Sequence, residues 1–221
     1  MSIEGINGVG KTTTARSLAA GSNPRCTLLD ELTDQVHDPL AGRVIAALSA
    51  RNDPFLRVGH PVVETLALLA LQVRRGELVS DDDFAGVDVL LEDRGADTLA
   101  VSQAVILHAQ YPEISLKDTA RRLLGAVQKW RRLPDATILL TGDPDTCLRR
   151  FTERSGHRLT PADRLMLERI DALYRQLAVE HPERYLVVDV TGMSRESSAD
   201  AVHTVLIRCL QRRSAARAHI W

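Results

Sequence analysis

Three features of the sequence predict an α/β fold built on a doubly wound, five-stranded parallel sheet. Short apolar segments alternate with longer helical patterns along the whole chain. Those segments are apolar on both faces, as strands covered by helices on either side are. A glycine-rich loop joins the first strand to the first helix, and sheets of this class bind ligands at the C-terminal ends of their strands.

The elements follow in order. Ser2-Ile3-Glu4 is a short lead strand, and Gly5-Ile6-Asn7-Gly8-Val9-Gly10-Lys11-Thr12 has the spacing G-x-x-x-x-G-K-[ST] of a phosphate-binding loop, with a helix from Thr13 to Ala20 behind it. The glycines let consecutive N–H groups converge on an anion, and the helix N-terminus adds free donors and its dipole. Asn7, Gly8, Val9, Gly10 and Thr13 belong to that cradle. Lys11 would reach the β- and γ-phosphates of a nucleotide, and Thr12 would give its hydroxyl to a magnesium ion.

Cys26-Thr27-Leu28-Leu29 is the second strand, with Asp30 and Glu31 on the loop beyond it, and helices follow near residues 40–50 and 61–78. Asp81-Asp82-Asp83 reads as a helix end and solvated turn before the third strand at residues 87–92. Glu92-Asp93-Arg94 then falls at a C-terminal strand end, where the fold places chemistry. A carboxylate there, Asp93 for choice, can hold magnesium or its water, and Arg94 can grip an anionic acceptor through two parallel bonds. Helices at residues 96–110 and 116–131 come next. The second carries a one-sided apolar stripe, Leu116, Ala120, Leu123, Leu124, Val127 and Trp130, with Arg121, Arg122, Arg131 and Arg132 as its solvated face. Residues 136–140 form the fourth strand, 144–154 and 162–180 helices, 185–189 the fifth strand and 197–213 the last helix. His108 and His203 fall within helical patterns, as packing or surface groups.

With 221 residues, 44% of them hydrophobic and 26% charged, the chain can bury one substantial core and is expected to form a single domain over 1–221. A net charge of −1 supplies no basic field for nucleic acid. Cys26, Cys147 and Cys209 are odd in number and scattered, which suits thiols in a reducing compartment rather than a disulfide frame or a zinc knot. No stretch approaches the roughly 20 apolar residues of a membrane span. A phosphate loop that opens the chain leaves no room for a signal peptide, so the expected compartment is the cytoplasm.

The segment Asp93-Arg94-Gly95-Ala96-Asp97-Thr98-Leu99-Ala100-Val101-Ser102-Gln103 resembles the thymidylate kinase signature D-R-Y-x-x-S-x-x-A-Y-Q, with Asp93, Arg94, Thr98 and Gln103 in register. Pro134-Asp135-Ala136-Thr137 is similar to that family's P-D-x-T strand, and Asp143-Pro144 follows it. Arg150 and Arg154, then His157-Arg158, resemble its lid pattern R-x-x-x-R with D-R beyond, and residues 182–189 its final strand. The resemblance implies a P-loop kinase architecture with an arginine-bearing lid at about 149–160, ATP and Mg2+ as cofactors, and transfer of the γ-phosphoryl group to a small-molecule acceptor, commonly a deoxynucleoside monophosphate. It gives Arg150, Arg154 and Arg158 the role of cations that close over the phosphates, and it implies pairing into a homodimer. Val190-Thr191-Gly192 falls where an adenine pocket wall is expected.

Departures from the family pattern gather on the acceptor side. Asn7 stands where these kinases usually carry an aspartate, Gly95 where they carry tyrosine, and Ser102 replaces another tyrosine. The helix Glu64 to Arg74 lacks the expected aromatic residue, with Val73 at the place of an arginine and Arg74 one step away. Stacking supplies much of the grip on a flat base, so a nucleoside monophosphate kinase that is not selective for thymidylate is the first reading. Asp30 and Glu31 support a second. A hydroxyl acceptor on a nucleoside, sugar or natural product needs a general base, and the position of Asp30-Glu31 resembles that of the glutamate after the second strand that takes this proton in deoxynucleoside kinases, which implies the role for Glu31; an acceptor phosphate needs arginines instead. A non-kinase nucleotide switch is a third reading, under which the lid arginines and the Asp93-Arg94 pair would have no task.

Overall fold

The computed structural model describes residues 1–34, 38–51 and 53–218. The lead strand β1 (Ser2–Glu4) is buried along its whole length. It pairs in parallel with β3 (Val89–Asp93) on one side and β4 (Thr137–Thr141) on the other. The second strand, β2 (Cys26–Leu29), adds outside β3, and β5 (Tyr185–Asp189) outside β4, giving the order β2-β3-β1-β4-β5 with every pair parallel. The chain therefore leaves β1 at the point where the strand order reverses, and the crevice at its C-terminal end is the natural ligand site.

Eight helices complete the described chain: α1 (Lys11–Ala19), α2 (Pro39–Leu48), α3 (Pro61–Glu77), α4 (Ala96–Gln110), α5 (Leu116–Gln128), α6 (Pro144–Ser155), α7 (Pro161–Glu180) and α8 (Arg195–Ala218). Their starts are written locally. Proline stands at the first position of α2, α3, α6 and α7, where its missing N–H costs nothing. Asp143 caps α6 by accepting from Thr146 N at 2.8 Å, and Thr160 and Asp163 form a reciprocal capping box on α7. Packing joins α1 to α8, and α4 to α3, α5 and α7. The main core runs through the sheet, with Ile3, Leu91, Ile138 and Leu140 fully buried.

Element order and type follow the sequence reading, with the ends shifted by a few residues. The third strand begins at Val89 rather than residue 87, and α1 begins at Lys11 itself. One difference changes how residues are assigned. The fifth helix stops at Gln128, and the amides of Trp130 and Arg131 fold back onto Val127 O. Trp130 is thus no part of the apolar stripe and is 73% exposed. Arg131 leaves the solvated face in which it was expected and turns inward to the Glu92 carboxylate and to Gln72. A carboxylate buried at the end of β3 must be compensated by a cation, and the chain reversal after α5 supplies one. The Asp81–Phe84 segment is the expected turn, closed by a Ser80–Asp83 capping box.

Candidate active site

The phosphate loop holds its shape because glycine alone fits it. At Gly8 (φ 85°) a Cβ would lie 1.9 Å from Cys147 O, and at Gly5 (φ 136°) 2.4 Å from Leu140 O. The loop is thereby pressed against the end of β4 and the start of α6, and it delivers Lys11 and Thr12 to the first turn of α1. Lys11 is buried, and its Nζ donates to Gly5 O at 2.7 Å and Ile6 O at 2.8 Å. Burial, with the nearby Arg94 guanidinium second, brings its ammonium down to about 7. A cation held so uncomfortably favours the arrival of anions.

Arg94 follows β3 in the left-handed region, φ 56°, which turns its side chain over the phosphate loop. Its Nη1 donates to Asn7 Oδ1 at 3.2 Å and lies 3.1 Å from Glu31 Oε1, while its buried Nε has no partner. Asn7, Glu31 and Arg94, which the sequence spreads over three segments, thus meet in one hollow beside the loop, together with Thr98, Ser102 and Gln103. The negative charge absent at Asn7 is supplied by Glu31. Asp30, by contrast, has an exposed side chain and contributes only its carbonyl, which accepts from Arg75.

The rest of this hollow is mostly aliphatic, and it corrects two expectations. The third helix presents Leu68 and Gln72 to it, not Val73, and Arg74 is drawn to Asp38 and Glu77. Gln72 is occupied at both ends, donating to Gly95 O and accepting from Arg131. Aromatic rings are also present, although the motif positions lack them. Phe55 comes from the loop before α3 and packs on Phe151 with ring centroids 5.7 Å apart, and Tyr174 comes from α7. Neither was visible as a site residue, because each reaches the hollow from an element that carries no motif.

Asp93 is buried at the end of β3 with Oδ1 unpartnered. Glu4, also missed, is fully buried and accepts from Gly95 N at 2.7 Å, Thr98 Oγ1 at 2.5 Å and Tyr174 OH at 3.1 Å. Burial and then the Asp97 charge raise its carboxyl to about 7. The available signal was a carboxylate inside a strand that the sheet pattern makes central.

On the other side of the loop, Gly8, Gly10 and Thr13 share a second hollow with Arg150 and Arg154, one turn apart on α6. Its far wall is Met193, Ser194, Arg195 and Ser198. Val190, expected in that wall, is instead a buried core residue, and Thr191 closes a turn on Asp189. Arg158 does not join Arg150 and Arg154; it lines a separate depression with Arg164 on the first turn of α7.

No helix among the described residues is long and apolar enough to cross a membrane. No family model matches the chain. Individual relatives do. A "Probable thymidylate kinase" of Methanocorpusculum labreanum is 31% identical over 193 residues, covering 86% of this chain and 88% of that protein. A second, from Halobacterium salinarum, is 28% identical over 205 residues, covering 91% and 92%. The thymidylate kinase of Cereibacter sphaeroides is 26% identical over 216 residues, covering 91% of each. Among solved structures, the thymidylate kinase of Ehrlichia chaffeensis superimposes with a TM-score of 0.60 at 18% identity, over 93% of this chain and 96% of that one. That of Candida albicans gives 0.61 at 16% identity, over 96% and 91%. The two structures speak for the P-loop kinase fold, and the relatives, aligned nearly end to end, speak for descent. This chain therefore belongs to the thymidylate kinase family and is an ATP-dependent kinase of the nucleotide kinase type, acting on a small-molecule phosphoryl acceptor.

Proposed function

We propose that the enzyme moves the γ-phosphoryl group of magnesium ATP onto the phosphate of a nucleoside monophosphate, in a base site not tuned to thymine. Arg94 carries this reading. Its guanidinium stands in the hollow beside the phosphate loop, oriented by Asn7 and Glu31 and with a donor to spare. An acceptor phosphate brings its own nucleophilic oxygen, so it needs cations and orientation more than a base. Lys11 exchanges the carbonyls of Gly5 and Ile6 for the β- and γ-phosphates. Arg150 and Arg154 line the donor side, and residues 149–160 act as the lid of a single catalytic domain, excluding water when they close.

Magnesium fits the residues present, since Asp93 keeps a buried oxygen without a partner and Thr12 lies in the first turn of α1. Those two would hold the ion or its water, and the ion would neutralise phosphate charge. The base lies between aliphatic side chains such as Leu68 and Leu99 and the Phe55 ring. Gln72, with both amide ends engaged, offers little to a thymine edge.

Because the Glu31 carboxylate reaches the same hollow, a hydroxyl acceptor is the second reading, with Glu31 taking the proton. Arg94→Lys separates the two, since lysine keeps the charge and loses the fork. For a monophosphate acceptor, its KM should rise about tenfold or more and turnover fall, with the KM of ATP nearly unchanged. Equal losses toward both substrates would move Arg94 to the donor side.

A further inference from the structure

Glu31 and Arg94 stand on loops that leave different strands, yet their charged ends lie 3.1 Å apart. We propose that Arg75 of α3 is a positioning residue for the acceptor site, one buried guanidinium that sets these two loops against each other. This inference rests on the reading of the Arg94 hollow as the acceptor site.

The Arg75 side chain is 2% exposed. Its Nη2 donates to Leu29 O at 2.6 Å and Asp30 O at 2.8 Å, the two carbonyls just before Glu31. Its Nη1 donates to Arg94 O at 2.9 Å. Three carbonyls, from the last residue of β2, the loop after it and the turn after β3, thus converge on one planar fork, a geometry that lysine cannot reproduce. The charge is met by Glu92, 3.9 Å away, which also takes Arg131. Nε of Arg75 has no partner, so the guanidinium is placed for its carbonyls rather than for full use of its donors.

Arg94 gives this clamp its purpose. A non-glycine residue at φ 56° does not hold that conformation unaided, and the neighbouring backbone groups are tied. Arg94 N donates to Ile3 O and Gly95 N to Glu4, while Gly95 O accepts from Gln72, one turn before Arg75 on the same face of α3. Arg75 supplies the remaining tie, to Arg94 O, and it alone among these links also reaches the loop that carries Glu31.

The test is steady-state kinetics of Arg75→Lys and Arg75→Met, alone and combined with Arg94→Lys, using a panel of ribo- and deoxynucleoside monophosphates with magnesium ATP. Thermal melts and circular dichroism identify the folded variants. Arg75→Lys, which keeps a cation opposite Glu92, serves if Arg75→Met fails to fold. We expect the acceptor KM to rise tenfold or more while the KM of ATP stays within twofold. In the Arg94→Lys background the same substitution should add little further loss, because its effect runs through Arg94. Parallel changes in both KM values, no change in a folded variant, or full additivity with Arg94→Lys would overturn the inference. If Arg94→Lys by itself leaves acceptor kinetics untouched, it is the reading of the hollow that fails, and the role of Arg75 falls with it.

Discussion

Lys11 shows how a residue with a proposed part in phosphoryl transfer also carries a cost to the fold. Its ammonium is buried among carbonyls and drawn down to about 7, below the 10.5 of a free lysine. Between those two values the unfolded chain binds more protons than the folded one, so stability rises with pH across that window and the full cost is present below it. Every tenfold loss of proton affinity on folding corresponds to about 1.4 kcal/mol. Lys11→Met should therefore melt higher than the parent protein at pH 6, and the gap should narrow toward pH 10; turnover should fall about a hundredfold or more. Melts across that range, paired with an ADP-release assay, check both halves. Lys11 was legible in the sequence because the phosphate loop is a local pattern of eight residues. Glu4 and Arg75 were not, since their meaning lies in distant partners: Tyr174 is 170 residues from Glu4, and Leu29 is 46 from Arg75. Glu31 could be singled out as an acid after the second strand, but that it pairs with Arg94 while Asp30 faces outward depends on the folded loop.

At the level of elements, the end of α5 is the instructive case. Helical periodicity runs on through Trp130 and Arg131, yet the buried carboxylate of Glu92 captures Arg131 and the helix gives way three residues earlier. The two side chains should then respond in opposite order to their hydrophobicity. Trp130→Ala should change stability by no more than about 0.5 kcal/mol, whereas Arg131→Ala takes from the buried Glu92 carboxylate its nearer cation, leaving only Arg75 at 3.9 Å, and should cost about 3 kcal/mol. Urea denaturation compares them directly. The start of α7 makes a similar link between element and site. Asp163 caps the helix through Thr160 and also accepts from Arg57 Nη2 at 2.7 Å, and Arg57 in turn holds Asp53 at 2.6 Å. That chain of contacts fixes the loop bearing Phe55 in the hollow beside the phosphate loop, the proposed acceptor site. Asp163→Ala should cost about 2 kcal/mol in stability and should also raise the acceptor KM, which chemical melts and kinetics on the same preparation would reveal. The sequence reading gave a helix at 162–180 without its cap, and the link from Asp163 to Arg57 was out of its reach because the two acids that Arg57 joins lie 110 residues apart along the chain.

For the whole molecule, the alternation of two-faced apolar strands with one-sided helices was enough to give the sheet class, because strands of a covered parallel sheet must be apolar on both faces. The order β2-β3-β1-β4-β5 places β1 between β3 and β4, so the phosphate loop and Asp93-Arg94 necessarily open into one crevice, with Arg150 and Arg154 on one flank and Glu31 on the other. The proposed reading is that this arrangement serves phosphoryl transfer to an acceptor phosphate, with the largely aliphatic hollow and its engaged Gln72 giving weak selection among bases. ADP release measured with magnesium ATP across nucleoside monophosphates, nucleosides and sugars tests that claim most directly. Release that depends on a monophosphate, with thymidine monophosphate not the preferred one, is the predicted result; transfer to a nucleoside or sugar hydroxyl with none to any monophosphate would contradict it.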